Sequence, residues 1–273
     1  MKTNSKKNEK KQSRGTIVLI VALCLGCLIF DFFEFKILTG DARNRWLNES
    51  IGMIFGICAV ALVLSRMKMR LFSRPYFGVS FFVCLLVAVN NFPFISYFNG
   101  NTSPLKPTCF WDVLLFAVHC ISVGVLEECI FRGLIFACLA ETFPKNRNGL
   151  IKTFFLSSII FGFSHLLNLF AGAGIGETLL QVGYSVLTGG LFAFAFIKTK
   201  NILCPAFLHA VYNFCGLLLS KKGLGSGVVF DVPTVILTAA IAVLAGVYVL
   251  YELFHIKEGE RSVLYKRLGV EKR

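Results

Sequence analysis

A chain of 273 residues with 56% hydrophobic residues, 29 of them Phe, and a mean hydropathy of +0.71 carries more apolar side chain than a soluble core of that size needs, which excludes an ordinary soluble domain. Its net charge of +13 comes from 28 Lys and Arg residues set between apolar runs rather than interleaved with aromatics, which points to membrane topology and away from nucleic acid. Of ten cysteines, nine lie in apolar runs, Cys24, Cys27, Cys58, Cys84, Cys120, Cys129, Cys138, Cys204 and Cys215, where the thiol acts as a small apolar group and nothing argues for a disulfide scaffold.

The basic start, with Lys2, Lys6, Lys7, Lys10, Lys11 and Arg14, reads as a cytoplasmic anchor suited to anionic lipid. The apolar run that follows continues into Asp31 and Lys36 without a small-x-small cleavage site, so a retained signal anchor is expected rather than a removed signal peptide. Apolar runs long enough for a helix to cross a bilayer then recur, giving expected spans at 16–38, 50–65, 77–98, 110–140, 153–170, 179–197, 203–219 and 233–254. The fourth is too long for one crossing, and its end is expected to continue into the cytoplasm or along the interface. Breakers fall between spans, at Pro104 and Pro107, at Gly172, Gly174 and Gly176, and at Gly223, Gly225 and Gly227.

The sequence therefore predicts an all-α fold, a polytopic transmembrane bundle of about eight helices. Residues 1–15 form a basic cytoplasmic segment, 16–254 the bundle, and 255–273 a basic cytoplasmic tail. With the N-terminus inside, 21 Lys and Arg residues fall on the cytoplasmic side and six outside, with Arg132 alone inside a span.

Ionisable groups within spans are costly, and here they are few: His119, Glu127, Glu128, Arg132, His165 and His209, with the amides Asn168 and Asn213. At about 100° per residue, Glu128 and Arg132 stand one turn apart on one face and are expected to pair, while Glu127 points away toward another helix. His165 shares a stripe with Phe161 and Asn168, and His209 shares one with Asn213 after Pro205. Each motif alone is as well explained by helix packing. Together they supply a base for water, a polarising group or metal and a donor for an oxyanion, the requirements of peptide-bond hydrolysis. His119 lies two turns before the acid pair and is expected to be a packing residue; His255 is expected at the interface.

Glu127-Glu128-x-x-x-Arg132, Phe161-x-x-x-His165 and His209-x-x-x-Asn213, in that order on three helices, resemble the motifs of the CAAX prenyl endopeptidase and bacteriocin-processing (CPBP, or Abi) family. The resemblance covers about residues 110–220. It implies an intramembrane endopeptidase whose polar cavity opens toward the cytoplasmic side and accepts a peptide or membrane-protein substrate. It also implies that Glu127 activates water and that His165 holds or polarises that water or a metal. His209 and Asn213 would then stabilise the oxyanion, and Glu128 with Arg132 would orient Glu127. Glu127, His165 and His209 are residue types that could hold Zn²⁺ with an open position, and a metal-free glutamate mechanism is equally compatible with them. The short loops favour a bacterial plasma membrane. A non-catalytic bacteriocin-immunity or peptide-sensing protein is the competing reading; a solute transporter is disfavoured because no inverted repeat with paired broken helices is present.

The charge count generates one test. A reporter active only outside the cytoplasm, fused after Arg273, is expected to stay silent, and an active fusion would reverse the topology.

Overall fold

The computed structural model describes residues 42–67, 69–102, 110–227 and 231–270, in which every regular element is a helix. The expected first span at 16–38, the basic start, Lys106 and the breakers Pro104 and Pro107 lie outside the described residues.

Helix α1 (Ala42–Arg66) begins earlier than its expected span. The expected span at 77–98 is broken into α2 (Val79–Val89) and α3 (Phe94–Phe98). Pro93 explains the break: it has no N–H to donate and disfavours a helical residue before it. The fourth span runs without interruption through α4 (Phe110–Glu128), a π-helical segment (Cys129–Ile135) and α5 (Phe136–Thr142). Its 33 residues make a rod of about 50 Å, longer than a hydrocarbon core of about 30 Å.

Helix α6 (Arg147–Ser164) starts six residues before its expected span because Asn146 caps it, accepting from the Gly149 N–H at 2.9 Å. It tightens into a 3₁₀ segment at His165–Leu169. Helix α7 (Ile175–Thr199) ends on Lys200 in the left-handed region, and α8 (Leu203–Leu217) takes Pro205 in its first turn, where the missing N–H costs nothing. Helix α9 (Val232–Phe254) is capped by Asp231, and α10 (Glu258–Arg267) is a short basic-ended helix after it. Hydrogen bonds from Thr234, Asn101 and Ser96 hold the Asp231 carboxyl below the usual carboxylate range. That corner is therefore stable at neutral pH and weakens only as pH falls through the lowered value.

Five of these helices are long and apolar enough to cross a membrane, whereas α2 and α8 are apolar but shorter. Side-chain contacts define two ends. At one, the start of α1 meets the start of α4 and the loop after α8: Arg43 Nη2 lies 3.0 Å from Asp112 Oδ2, and Trp46 Nε1 donates to the Lys222 carbonyl at 3.0 Å. At the other, the basic end, Lys198 pairs with Glu252 at 2.7 Å and Glu260 at 3.3 Å, Arg147 donates to the Phe254 carbonyl, and Arg267 donates to the Lys200 carbonyl.

Between the ends the helices that carry the polar motifs approach closely at glycine. A Cβ on Gly124 of α4 would lie 2.6 Å from the Ala206 carbonyl oxygen of α8, and one on Gly162 of α6 would lie 2.9 Å from the Val182 carbonyl oxygen of α7. Such contacts let helix backbones meet where the bilayer supplies no hydrophobic drive for their association. Gly124→Ala is expected to force α4 and α8 apart, to cost about 1–3 kcal/mol as overpacking does, and to lower turnover with it. Gly52→Ala, where no atom lies within 4 Å, serves as control. Equal melting temperatures for the two variants would contradict this packing.

Candidate active site

Glu127 and Glu128 end α4, and Arg132 sits inside the π-helical segment that follows at once. A π turn changes the helical phase, and such turns are frequent at functional sites. Here it leaves Arg132 Nη1 3.0 Å from Glu128 Oε1 while Nη2 donates to the Gly189 carbonyl of α7 at 2.7 Å. Both side chains are 0% exposed. The guanidinium lies over the Phe161 ring at 4.6 Å and near the Phe192 ring at 5.8 Å, so its charge is met by a carboxylate, a carbonyl and two π faces.

The expected pair is therefore present, but Glu128 has a second partner. His209 Nδ1 of α8 lies 3.0 Å from Glu128 Oε1, and His209 Nε2 lies 3.8 Å from Glu127 Oε2. The sequence phase turns Glu127 away from its neighbour and toward another helix, and that helix is α8: the two carboxylates meet different nitrogens of one imidazole, because α8 crosses α4 one turn earlier at Gly124. Since an ionised Glu128 can only accept, Nδ1 carries the hydrogen in this contact and Nε2 is the atom turned to Glu127. His209 is fixed further by stacking on Phe192, with ring centroids 4.7 Å apart, and by the edge of Phe161 at 5.8 Å. Glu127 Oε2 is buried and has no hydrogen-bond partner among the described residues.

His165 stands where α6 becomes 3₁₀. Its Nδ1 lies 3.1 Å from the Phe161 carbonyl, an acceptor only, so Nδ1 donates and Nε2 is left with its lone pair. Phe161 makes edge contacts with both histidine rings, at 5.3 Å to His165 and 5.8 Å to His209, and joins them. Asn168, expected on the His165 stripe, donates from Nδ2 to Gln181 Oε1 of α7 at 2.8 Å. Asn213 is half-buried one turn beyond His209. His119 is apart from this cluster: its Nδ1 lies 3.5 Å from Glu49 Oε2 of α1, and its ring stacks on Phe116. His255 is exposed after α9, in line with an interfacial place.

As a metal site, the expected set of Glu127, His165 and His209 does not close. Among the described residues no group of three His, Cys, Asp or Glu side chains has metal-binding geometry. Gly189, Phe192 and Gln181 of α7 hold site residues and were not singled out by sequence reasoning. The signals were present as a Gly189-Gly190 pair inside an apolar run and an isolated glutamine within a span.

Because the guanidinium fork serves a carboxylate and a carbonyl at once, Arg132→Lys keeps the charge and loses the geometry. It is expected to lower thermal stability nearly as much as Arg132→Met, and a variant melting at the parental temperature would contradict the assigned contacts.

Comparison with known proteins falls on the same region. Residues 109–215 match the family described as type II CAAX prenyl endopeptidase Rce1-like. Over 190 residues, 69% of this chain, the sequence is 26% identical to a Bacillus subtilis (strain 168) protein named "Putative membrane peptidase YdiL". The match spans 66% of that relative, just under two thirds of its length. No solved structure matches. With its apolar helices, the chain is an integral multi-pass membrane protein, and its residues 109–215 are similar to the Rce1-like type II CAAX prenyl endopeptidase family, the resemblance that the three motifs imply.

Proposed function

We propose that this protein is an intramembrane endopeptidase of the CAAX type, with eight crossings and both ends cytoplasmic, acting on a peptide or membrane-associated protein in a bacterial plasma membrane. The observation that carries the reading is the convergence of Glu127 and Glu128 on His209, with Arg132 locking Glu128 from behind.

In the proposed reaction Glu127, whose Oε2 has no protein hydrogen bond, takes a proton from water as the water attacks the scissile carbonyl. Two carboxylates and one guanidinium leave one negative charge, which a doubly protonated His209 neutralises. In that form Nδ1–H donates to Glu128, and Nε2–H is directed toward Glu127 and the oxygen on which charge develops. Asn213, one turn along α8, offers a second donor to that oxygen. His165 Nε2, as a neutral acceptor, orients the attacking water. Proton return from Glu127 to the leaving amine completes the hydrolysis.

Zn²⁺ would draw on the same Glu127, His165 and His209. Because these three do not form a ligand set, the proposed reaction routes no step through a metal. Preincubation with 1,10-phenanthroline is expected to leave turnover unchanged, and loss of turnover restored by Zn²⁺ would replace the proposal with a metal-assisted one.

With purified protein in liposomes and a reporter peptide, Glu127→Gln is expected to lower turnover by about 10²–10⁴, the range that general-base catalysis contributes, without loss of folded protein. Asn213→Ala is expected to cost about 10²–10³, as loss of one oxyanion donor does. Parental turnover by Glu127→Gln would remove this mechanism. Peptide binding without cleavage by the parental protein would favour a peptide-sensing or immunity role.

A further inference from the structure

At the basic end two of the apolar spans finish against each other, α6 starting at Arg147 and α9 ending at Phe254. Between them and the start of α10 lies an open cleft of about 550 Å³, lined by Asn146, Arg147, Asn148, His255, Ile256 and Arg261. The cleft thus stands at the level where hydrocarbon gives way to headgroups. Its lining holds two guanidinium groups and no carboxylate.

Both arginines are fixed by the end of α9. Its last carbonyls have no helical partner, and Arg147 Nη1 donates to that of Phe254 at 3.1 Å while Arg261 Nη1 donates to that of Ile256 at 3.0 Å. Among the described residues neither arginine is paired with a carboxylate: Glu252 and Glu260 are drawn to Lys198, and Glu258, one turn before Arg261, makes no ion pair with it. Arg261 Nε is buried and has no hydrogen-bond partner among the described residues, a state that buried donors seldom keep. The start of α6 adds to the deficit, because Asn146 accepts from the Gly149 N–H and leaves the Arg147 and Asn148 N–H groups at the positive end of the helix dipole. Positive charge and spare donors in one cleft call for an anion with several acceptor oxygens.

The outer face of α9 says which anion. Leu244, Val247, Tyr251 and Phe254 recur at helical spacing and are 46–70% exposed, so they form an apolar stripe that leads to the cleft. At about 100° per residue His255 continues that stripe into the cleft, its ring against Tyr251 with centroids 4.4 Å apart. A free phosphate ion would use the arginines and leave the stripe aside, whereas a phospholipid uses both. We propose that the cleft binds the phosphate group of an anionic phospholipid whose acyl chains lie along the α9 stripe. Basic pockets between membrane helices suit such headgroups, since each cation near the surface adds to the attraction. The inference does not rest on the endopeptidase reading.

Native mass spectrometry of the full chain in detergent, after incubation with phosphatidylglycerol or phosphatidylcholine, tests the site. The parental protein is expected to hold one phosphatidylglycerol roughly 10–30-fold more tightly than phosphatidylcholine, the worth of two cations beside an anionic headgroup. Arg147→Gln with Arg261→Gln is expected to lose that preference. Lys221→Gln with Lys222→Gln, which removes the same charge at the other end, is expected to keep it. Because the two arginines also hold the end of α9, Asn148→Glu serves as the second variant. It sets a carboxylate in the first turn of α6, where the helix dipole favours it, and so repels the headgroup without loss of folded protein. Asn148→Glu is expected to show no preference between the lipids. Parental preference in Asn148→Glu, or equal retention of the two lipids by the parental protein, would overturn the site. Inorganic phosphate raising the melting temperature of the parental protein as much as phosphatidylglycerol does would give the cleft to the free ion and overturn the lipid assignment.

Discussion

Everything in the site hangs on one carboxylate that sees no solvent. Glu128 is 0% exposed in a medium where an uncompensated charge is very costly, and it persists because Arg132 and His209 both meet the same oxygen at 3.0 Å. Breaking a buried pair of this kind by removing one partner costs about 3–5 kcal/mol, since the remaining charge stays behind unpaired. The pair is thus poor evidence of net stability and good evidence of specification. It fixes which face of α4 meets α8 and which nitrogen of His209 turns to Glu127.

That constraint explains the surrounding choices of residue. Arginine rather than lysine stands at 132 because the cation must serve Glu128 and the Gly189 carbonyl together while lying over Phe161. Glycine stands at 189 because a Cβ there would come within 2.8 Å of the Phe161 ring that covers the guanidinium, and at 124 because α8 must come close enough for His209 to reach Glu128. The many phenylalanines have a comparable office near the site, with Phe192 and Phe161 setting the plane of the His209 imidazole. Helix packing in the membrane and arrangement of the polar cluster are therefore the same problem.

Much of this was legible in the sequence, for physical reasons that also mark where it stopped. Long apolar runs and basic loops state helical spans and their order directly, and a charge inside a span advertises itself, so Glu127, Glu128, Arg132, His165 and His209 could be named before any coordinates. Interactions within one helix follow from spacing, as the Glu128–Arg132 pair does. Interactions between helices do not: the bond from His209 to Glu128 spans 81 positions, and nothing in either motif states it. The regular helical phase holds at Glu127, which lies in the α-helical part and faces another helix, but phase does not state that the facing group is His209. Neutral backbone partners such as the Gly189 carbonyl carry no side-chain signature. The break at Pro93 follows from local chemistry, although the apolar run around it continues without a charge.

The central claim is that Glu128 holds His209 by Nδ1 and so presents Nε2 to Glu127. Nitrogen NMR of protein labelled at its four histidines, with the His209 signals identified from His209→Gln, reads this directly. The account predicts a hydrogen-bearing Nδ1 at His209 in the parental protein and loss of that signature in Glu128→Gln. A hydrogen-free Nδ1 in the parental protein, or a His209 spectrum unchanged by Glu128→Gln, would contradict it.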